Sequence, residues 1–390
     1  MPHIAGFRGV LPESPAVRDA VASGAGPGQE DVGKALASGT LTRDPSRAVY
    51  RYHLRFAEPG GGRAVIRKML VCAVRVEPWT EGLVRPHEAT DPARKAAALA
   101  ALRASQVSPA PVLAGYRDAA AEVERLFRRV DGERPTLEVT TPDGAVHRLW
   151  RARSAELLGQ LRHVLAPKRL NVLDGHDRYE AMLAYRDELA AHQPLAMYSS
   201  ANYAIMCLAN LDDPALTVAP RHRAIRGAAP SAAALAAARP YFIVDKLTGA
   251  AADVARQRAA LADTLAHQPA FVVVWSGEPD AWKLTLSPDV SPVNAGIAVN
   301  RALQRLEPIV ADQLFVERAM PGAQLELHVS AEDAFAANAD AVMIMRPLTL
   351  EQISHIVELG EVLPIGSTAF APRLAQGLVS AIIDPDEDLV

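Results

Sequence analysis

Leu170-Asn171-Val172-Leu173-Asp174-Gly175-His176-Asp177-Arg178-Tyr179 is the stretch whose reading decides this fold. The apolar run at 170–173 reads as a buried strand, and residues 179–185 have the spacing of a helix. A strand therefore ends in a glycine turn, and a helix begins where two acids, an imidazole and a guanidinium crowd together. The first turn of a helix leaves backbone N–H groups unpaired and carries partial positive charge, so it suits an anion such as phosphate. Arg178 could grip that phosphate through two parallel hydrogen bonds. Asp174 and His176 could do proton or metal chemistry beside it. The same residues would also serve a plain connection, with Asp174 capping the helix and Gly175 turning the chain.

Working outward, polar and apolar residues alternate over 48–56, a glycine-rich turn follows at 58–62, and 63–76 gives a second strand, together a β-hairpin. Pro92 follows Asp91 at the head of an Ala/Leu-rich segment, which predicts a helix from 93 to about 103 with Asp91 as its cap. Residues 116–130 fit one amphipathic helix, with Val123, Leu126, Phe127 and Val130 on one side. Strands at 137–140 and 146–150 flank Pro142-Asp143-Gly144, a second hairpin. A helix at 154–165 leads into the central strand. Downstream lie a buried element at 201–209, a basic segment at 220–225 and an alanine-rich stretch at 227–239 that looks like a domain junction containing a helix. Beyond it the pattern gives strands at 241–244, 271–275, 281–286 and 341–345, with helices near 250–266, 299–318 and 350–359. Toward the N-terminus, 23–28 reads as a linker and 30–38 as a short helix, and the acidic end at 384–388 reads as solvated.

Composition bounds the rest. The 390 residues suffice for two domains, and 49% hydrophobic with 22% charged residues is an ordinary globular balance. A net charge of -4 argues against general nucleic-acid binding. Cys72 and Cys207 sit in apolar runs and read as small buried hydrophobes. With no apolar stretch of bilayer length and no signal-peptide pattern, a cytoplasmic protein is expected.

Other groups could carry chemistry. His87-Glu88 lies at the mouth of a helix, where the pair could act as base and orienter or as metal ligands; Glu88 and Thr90 could equally cap that helix. Arg221-His222-Arg223 could hold phosphate or carboxylate, or lie along a solvated edge. Gly366-Ser367-Thr368 could offer hydroxyls and backbone donors to an anion, or form a plain turn. Phosphate-loop, serine-elbow and dinucleotide fingerprints do not occur in the sequence.

In order along the chain, these pieces resemble a bacterial and archaeal family known as domain of unknown function 1015. The resemblance rests on Val49-Tyr50-Arg51-Tyr52, His87-Glu88-Ala89-Thr90, His147-Arg148-Leu149-Trp150, the Asp174 motif, a segment at 202–210 taken as a helix, Pro220-Arg221-His222-Arg223, and the run from Leu363 to Arg373. The Asp-Gly-His-x-Arg junction is in turn similar to one in the ParB/sulfiredoxin-like superfamily, which includes free serine kinases. That resemblance implies a nucleotide site with Gly175, His176 and Arg178 near phosphates and Asp174 near the reacting hydroxyl or a metal. Three features depart from the family pattern. Asp177 stands where a second histidine is usual, Gly366 where a lysine is usual, and the N-terminal Pro-Tyr-Asp-Val segment has no counterpart.

The fold expected is therefore α/β (α+β): a ParB/sulfiredoxin-like mixed-sheet domain over 1–230 and a smaller α/β domain over 231–390 that could close the site. The function expected is phosphoryl transfer from ATP or ADP, with Mg²⁺, to a hydroxylated metabolite such as free serine. Asp174, Glu88 and His176 are its catalytic candidates. Gly175, His176, Asp177, Arg178, Arg221, His222, Arg223, Ser367 and Thr368 are the nucleotide contacts, and Asp174 and Asp177 the metal ligands. The alternatives are a nucleotide- or metabolite-binding regulator or biosynthetic accessory without turnover, and a metal-dependent hydrolase or lyase. Partners are a nucleotide and a small-molecule substrate, without nucleic acid or membrane; a homodimer is admitted but not required.

Overall fold

Alternating residues at 49–57 and 64–75 form the long antiparallel hairpin that is the spine of the first unit. In the computed structural model, which describes residues 2–24, 32–58, 62–297 and 299–390, these are β1 (Val49–Ala57) and β2 (Ala64–Arg75). Tyr50 lies opposite Val71, and Arg55 opposite Ile66. The turn residues 59–61, and 25–28 of the expected linker, lie outside the described residues. The chain divides into two units, one of Met1–Thr217 with Pro372–Val390 and one of Val218–Ala371.

Further strands of the first unit are β3 (Val84–Pro86), β4 (Val112–Tyr116), β5 (Leu137–Thr140), β6 (Val146–Ala152), β7 (Leu170–Asp174) and β8 (Tyr203–Asn210). They join the hairpin in the order β3-β7-β4-β8-β2-β1-β6-β5, with Ile4–Ala5 added against β2. The pairs β3/β7 and β4/β8 are parallel and the others antiparallel, a mixed sheet. Residues 380–382 pair with 9–12 and 107–108, so the C-terminal segment is built into this unit.

Two expectations fail here. Residues 203–210 are a strand, not a helix, and 112–116 is a strand where none was expected. Every residue of both is buried, so neither shows the alternation that marks a strand with one wet face. Gly115 lets Leu211 pack against β4, because a Cβ there would come within 2.4 Å of its methyl group. The amphipathic segment expected over 116–130 is two short helices, Glu122–Leu126 and Arg128–Asp131. Asp118 accepts the Val123 N–H at 3.0 Å and Ala121 sits at φ 52°, so the helix starts six residues late.

Three helices matter for the site: α1 (Pro92–Ser105), α2 (Ala155–Leu165) and α3 (His176–His192). Asp91 caps α1 by accepting from Ala93 N and Arg94 N, and Ser154 caps α2. Their buried faces (Leu102, Leu161, Leu165, Tyr179, Met182) pack with Leu70, Cys72, Val172 and Met206 of the sheet into one core.

The second unit holds an antiparallel sheet of six strands, β9 (His222–Arg226), β10 (Phe242–Leu247), β11 (Ala270–Trp275), β12 (Ala281–Leu286), β13 (Gln324–His328) and β14 (Ala341–Ile344), in the order β10-β12-β11-β14-β9-β13. From His222 the basic segment is thus a buried inner strand rather than a solvated edge, with Pro220 and Arg221 half-buried before it. The helix expected over 299–318 is confined to 307–319 and carries a π-type stretch, Val310–Val316.

Candidate functional site

The register of three strands decides what meets at the end of β7. Val172 pairs with Pro86 of parallel β3, which brings His87 and Glu88 to the level of Leu173 and Asp174. Asp174 pairs with Leu113 of antiparallel β4, which places Pro111 at the same end. Carboxyl ends of parallel strands followed by a helix start are where α/β sheets commonly receive ligands.

The junction departs from the plain connection at Asp174. Asp174 ends the strand exposed and does not cap the helix; the cap position is Gly175, which brings no side chain to it. Gly175 adopts φ 90°, a left-handed conformation that L side chains rarely take. A Cβ there would lie 2.5 Å from Nη2 of Arg178, whose guanidinium folds back across the glycine. Arg178 donates from Nη2 to the Pro111 carbonyl at 3.4 Å, while its buried Nε has no partner among the described residues. Among the described residues no carboxylate pairs with it. Arg178 and Asp177 line a cleft of about 170 Å³ whose other walls are Ala98, Leu102, Val112 and Met182, with Ser108 and Gln376 as polar contributions.

On the other side of the helix start, His87 and His176 stand with ring centroids 4.9 Å apart. His87 hydrogen-bonds the Val172 carbonyl through Nδ1 at 2.6 Å, so Nδ1 carries the proton. The same carbonyl also bonds His176. Burial lowers the pKa of His87, whose field includes both Glu88 and Asp174, with Glu88 Oε2 3.9 Å from Nε2. Burial above all, then His87 and Arg178, holds His176 well below the ordinary histidine range. Both imidazoles are therefore neutral near pH 7. Among the described residues the buried Nε2 of His176 has no hydrogen-bond partner. Buried polar atoms are usually satisfied, and here two unpartnered nitrogens flank one glycine.

One turn into α3, Glu180 accepts from Trp79 Nε1 at 2.9 Å and Thr90 Oγ1 at 2.7 Å and pairs with Lys95 at 2.8 Å. Tyr179 stacks on Trp79 at 4.4 Å and its hydroxyl meets the Glu77 backbone. These contacts fix the loop carrying His87 and Glu88 against the helix. Thr90 thus serves Glu180 and does not cap α1.

The remaining candidates belong to the second unit. Arg223 is 2% exposed, and its guanidinium holds both oxygens of Asp312, at 3.1 and 3.0 Å, and the Arg221 carbonyl. That ion pair leaves Arg223 no free fork for an anion. His222 is fully buried on β9, accepts the Met345 N–H at 3.1 Å, and is lowered to about 4 by burial and neighbouring arginines. Ser367 turns its hydroxyl to the Pro364 carbonyl at 2.7 Å, the geometry of a turn. Arg221 reaches the Gly366 carbonyl at 3.4 Å, so the two sequence motifs do converge, and Thr368 is half-buried beside them. Sequence reasoning missed the walls of the cleft at Arg178; apolar residues such as Ala98, Val112 and Met182 carry no chemical signal.

A resident Mg²⁺ takes one or two protein carboxylates and completes its shell with phosphates and water. Asp174 and Asp177, either side of Gly175, fit that requirement. Among the described residues no three of His, Cys, Asp and Glu gather as metal ligands. Among the described residues no helix is long and apolar enough to cross a membrane.

Fold and site together define a mixed-sheet α/β protein with an uncapped, arginine-flanked loop at a strand-to-helix junction. The chain belongs to the family described as Protein of unknown function (DUF1015), whose model matches residues 16–308. No curated protein matches the sequence. Among solved structures, it is similar to a free serine kinase in complexes with ADP and with AMP, at 13% identity and TM-score 0.41, covering 82% of this chain and 92% of that one. It is similar to SbnI with a C-terminal truncation from Staphylococcus aureus, at 13% identity and TM-score 0.38, covering 78% and 85%. A conserved hypothetical protein from Pyrococcus furiosus gives 13% identity and TM-score 0.38 over 79% and 93%.

Proposed function

We propose that the loop from Asp174 to Arg178 receives the phosphates of ATP or ADP, and that the protein transfers a phosphoryl group to a hydroxylated small metabolite, free serine being the first to try. The observation that carries this reading is the Arg178 guanidinium: among the described residues unpaired with any carboxylate and with one buried nitrogen unpartnered, folded over a left-handed glycine at the start of a 17-residue helix and lining a cleft. A phosphate oxygen would satisfy Nε and the first-turn N–H groups together. The apolar walls of the cleft suit the non-phosphate part of the nucleotide. Asp174, exposed at the strand end, accepts the proton as the substrate oxygen forms its bond to phosphorus, and the nucleotide leaves with the electron pair of the broken P–O bond. Glu88 and neutral His176 stand behind it. Mg²⁺ held by Asp174 and Asp177 would neutralise phosphate charge. Positioning and charge stabilisation are most of what phosphoryl transfer asks of a protein. A cytoplasmic location belongs to the same proposal.

One observation favours the accessory reading instead. Asp177 lines the same cleft as Arg178, and its carboxylate repels phosphate unless a cation intervenes. Incubation with ATP or ADP, Mg²⁺ and a panel of hydroxy amino acids separates the two. A phosphorylated product lost in Asp174→Asn, with nucleotide binding kept, supports the kinase. Binding without product across the panel supports the accessory role, and absence of nucleotide binding sinks the kinase and leaves only a metabolite-binding accessory.

A further inference from the structure

The second unit contains a cleft of about 620 Å³ that the proposed reaction does not use. Small-molecule sites span roughly 300–1,000 Å³ and combine apolar walls with a few placed polar groups. Here the floor is Leu261, Pro269, Met345 and Leu348. The walls are basic. Arg346 serves the architecture, because Nε and Nη2 each meet Glu307 at 2.8 Å while the carbonyls of Thr264, Leu265 and Gln268 take its other N–H groups. Glu307 also accepts the backbone N–H groups of Arg346 and Ala270, so this pair is satisfied and its charges cancel.

Two other lining guanidiniums are not so used. Among the described residues the Arg258 side chain makes no hydrogen bond or close ion pair, although its charge reaches Glu332 and His222, and the Arg305 side chain makes one hydrogen bond, Nη2 to the Val290 carbonyl at 3.3 Å. Glu351 is the one further lining carboxylate, which leaves the cleft with an excess of positive charge. The helix Leu350–Glu358 begins at this wall, with Thr349 and Gln352 closing a capping box, and its positive end adds to the same field. Arg258 and Arg305 are exposed like charges beside an apolar floor. An anion carried on an apolar body suits both, by neutralising the guanidiniums and covering the floor.

We propose that this cleft binds a small organic anion, a carboxylate or phosphate ester on an apolar body, separately from the nucleotide loop of the first unit.

Anilinonaphthalene sulfonate, an aromatic anion, is the probe, titrated into the full chain and followed by fluorescence. Saturable binding is expected, weakened roughly tenfold or more in the Arg258→Ala, Arg305→Ala double variant, the loss of at least one charge-assisted hydrogen bond. Ala266→Trp, at an exposed lining position, should abolish it by filling the cleft. Phenyl phosphate and phenylacetate should compete, the stronger identifying which acid the site prefers, and phenethylamine should not. Both variants change exposed positions, and thermal melts check that they stay folded. The proposal is overturned if the dye fails to bind, if its affinity is the same in both variants as in the parent, or if the amine competes as well as the acids.

Discussion

Replacing Arg178 by alanine should separate two quantities that change together at an ordinary ion-pair residue. In the free protein the guanidinium makes one hydrogen bond, at 3.4 Å, beyond the usual 2.7–3.2 Å range, and its Nε is unsatisfied. Removing it forfeits little and frees a buried polar atom, so unfolding free energy should stay within about 0.5 kcal/mol of the parent. With a phosphate in place the same group makes one or two charge-assisted hydrogen bonds, worth about 1.5–3 kcal/mol, so ADP affinity should fall roughly 10- to 150-fold. Lysine should recover part of that loss, keeping the charge without the planar fork. Calorimetric titration with ADP, run beside urea unfolding of both variants, measures the pair. Unchanged affinity, or a stability loss above about 2 kcal/mol, would show that Arg178 is a structural residue and refute the reasoning.

Other outcomes follow from the same geometry. Gly175→Ala should cost about 1–2 kcal/mol of stability through its positive φ and also weaken ADP binding, because its Cβ displaces the Arg178 guanidinium; an unchanged urea midpoint would contradict the strain argument. His147, whose Nδ1 meets the Tyr52 hydroxyl at 2.6 Å, and His222 are both held down to about 4, chiefly by burial. Their folded pKa values lie below the unfolded value of about 6.5, so the unfolded chain binds more protons in between. Stability should therefore fall as pH drops from about 6.5 to 4, each histidine contributing up to about 1.4 kcal/mol per pH unit, and a flat urea midpoint over that range would count against both burials. Arg51→Met should destabilise by about 3 kcal/mol, because it strands Glu124 beside a fully buried position and takes one partner from Asp131, which keeps His53 and Lys68; a loss below about 1 kcal/mol would mean that water already serves Glu124.

What the sequence made legible was local. Turn chemistry marked the hairpin at Asp143-Gly144, and Asp91 with Pro92 marked the start of α1, because caps and turns are written in adjacent residues. The strand-to-helix junction was legible for the same reason, although the cap proved to be Gly175 and not Asp174. Strands 112–116 and 203–210 were not, since a strand buried on both faces loses its period and reads like any apolar run. Arg223 read as an anion contact or part of a solvated edge because its partner, Asp312, comes from a distant segment. The orphaned nitrogens of Arg178 and His176 are likewise a property of packing, which only the fold discloses.

A structure of the protein with ADP tests the central claim most directly. The account predicts a phosphate oxygen within hydrogen-bond distance of the Arg178 guanidinium and of the backbone N–H groups at 176–178. ADP seated elsewhere, with the Arg178 Nε still unpartnered, would contradict it.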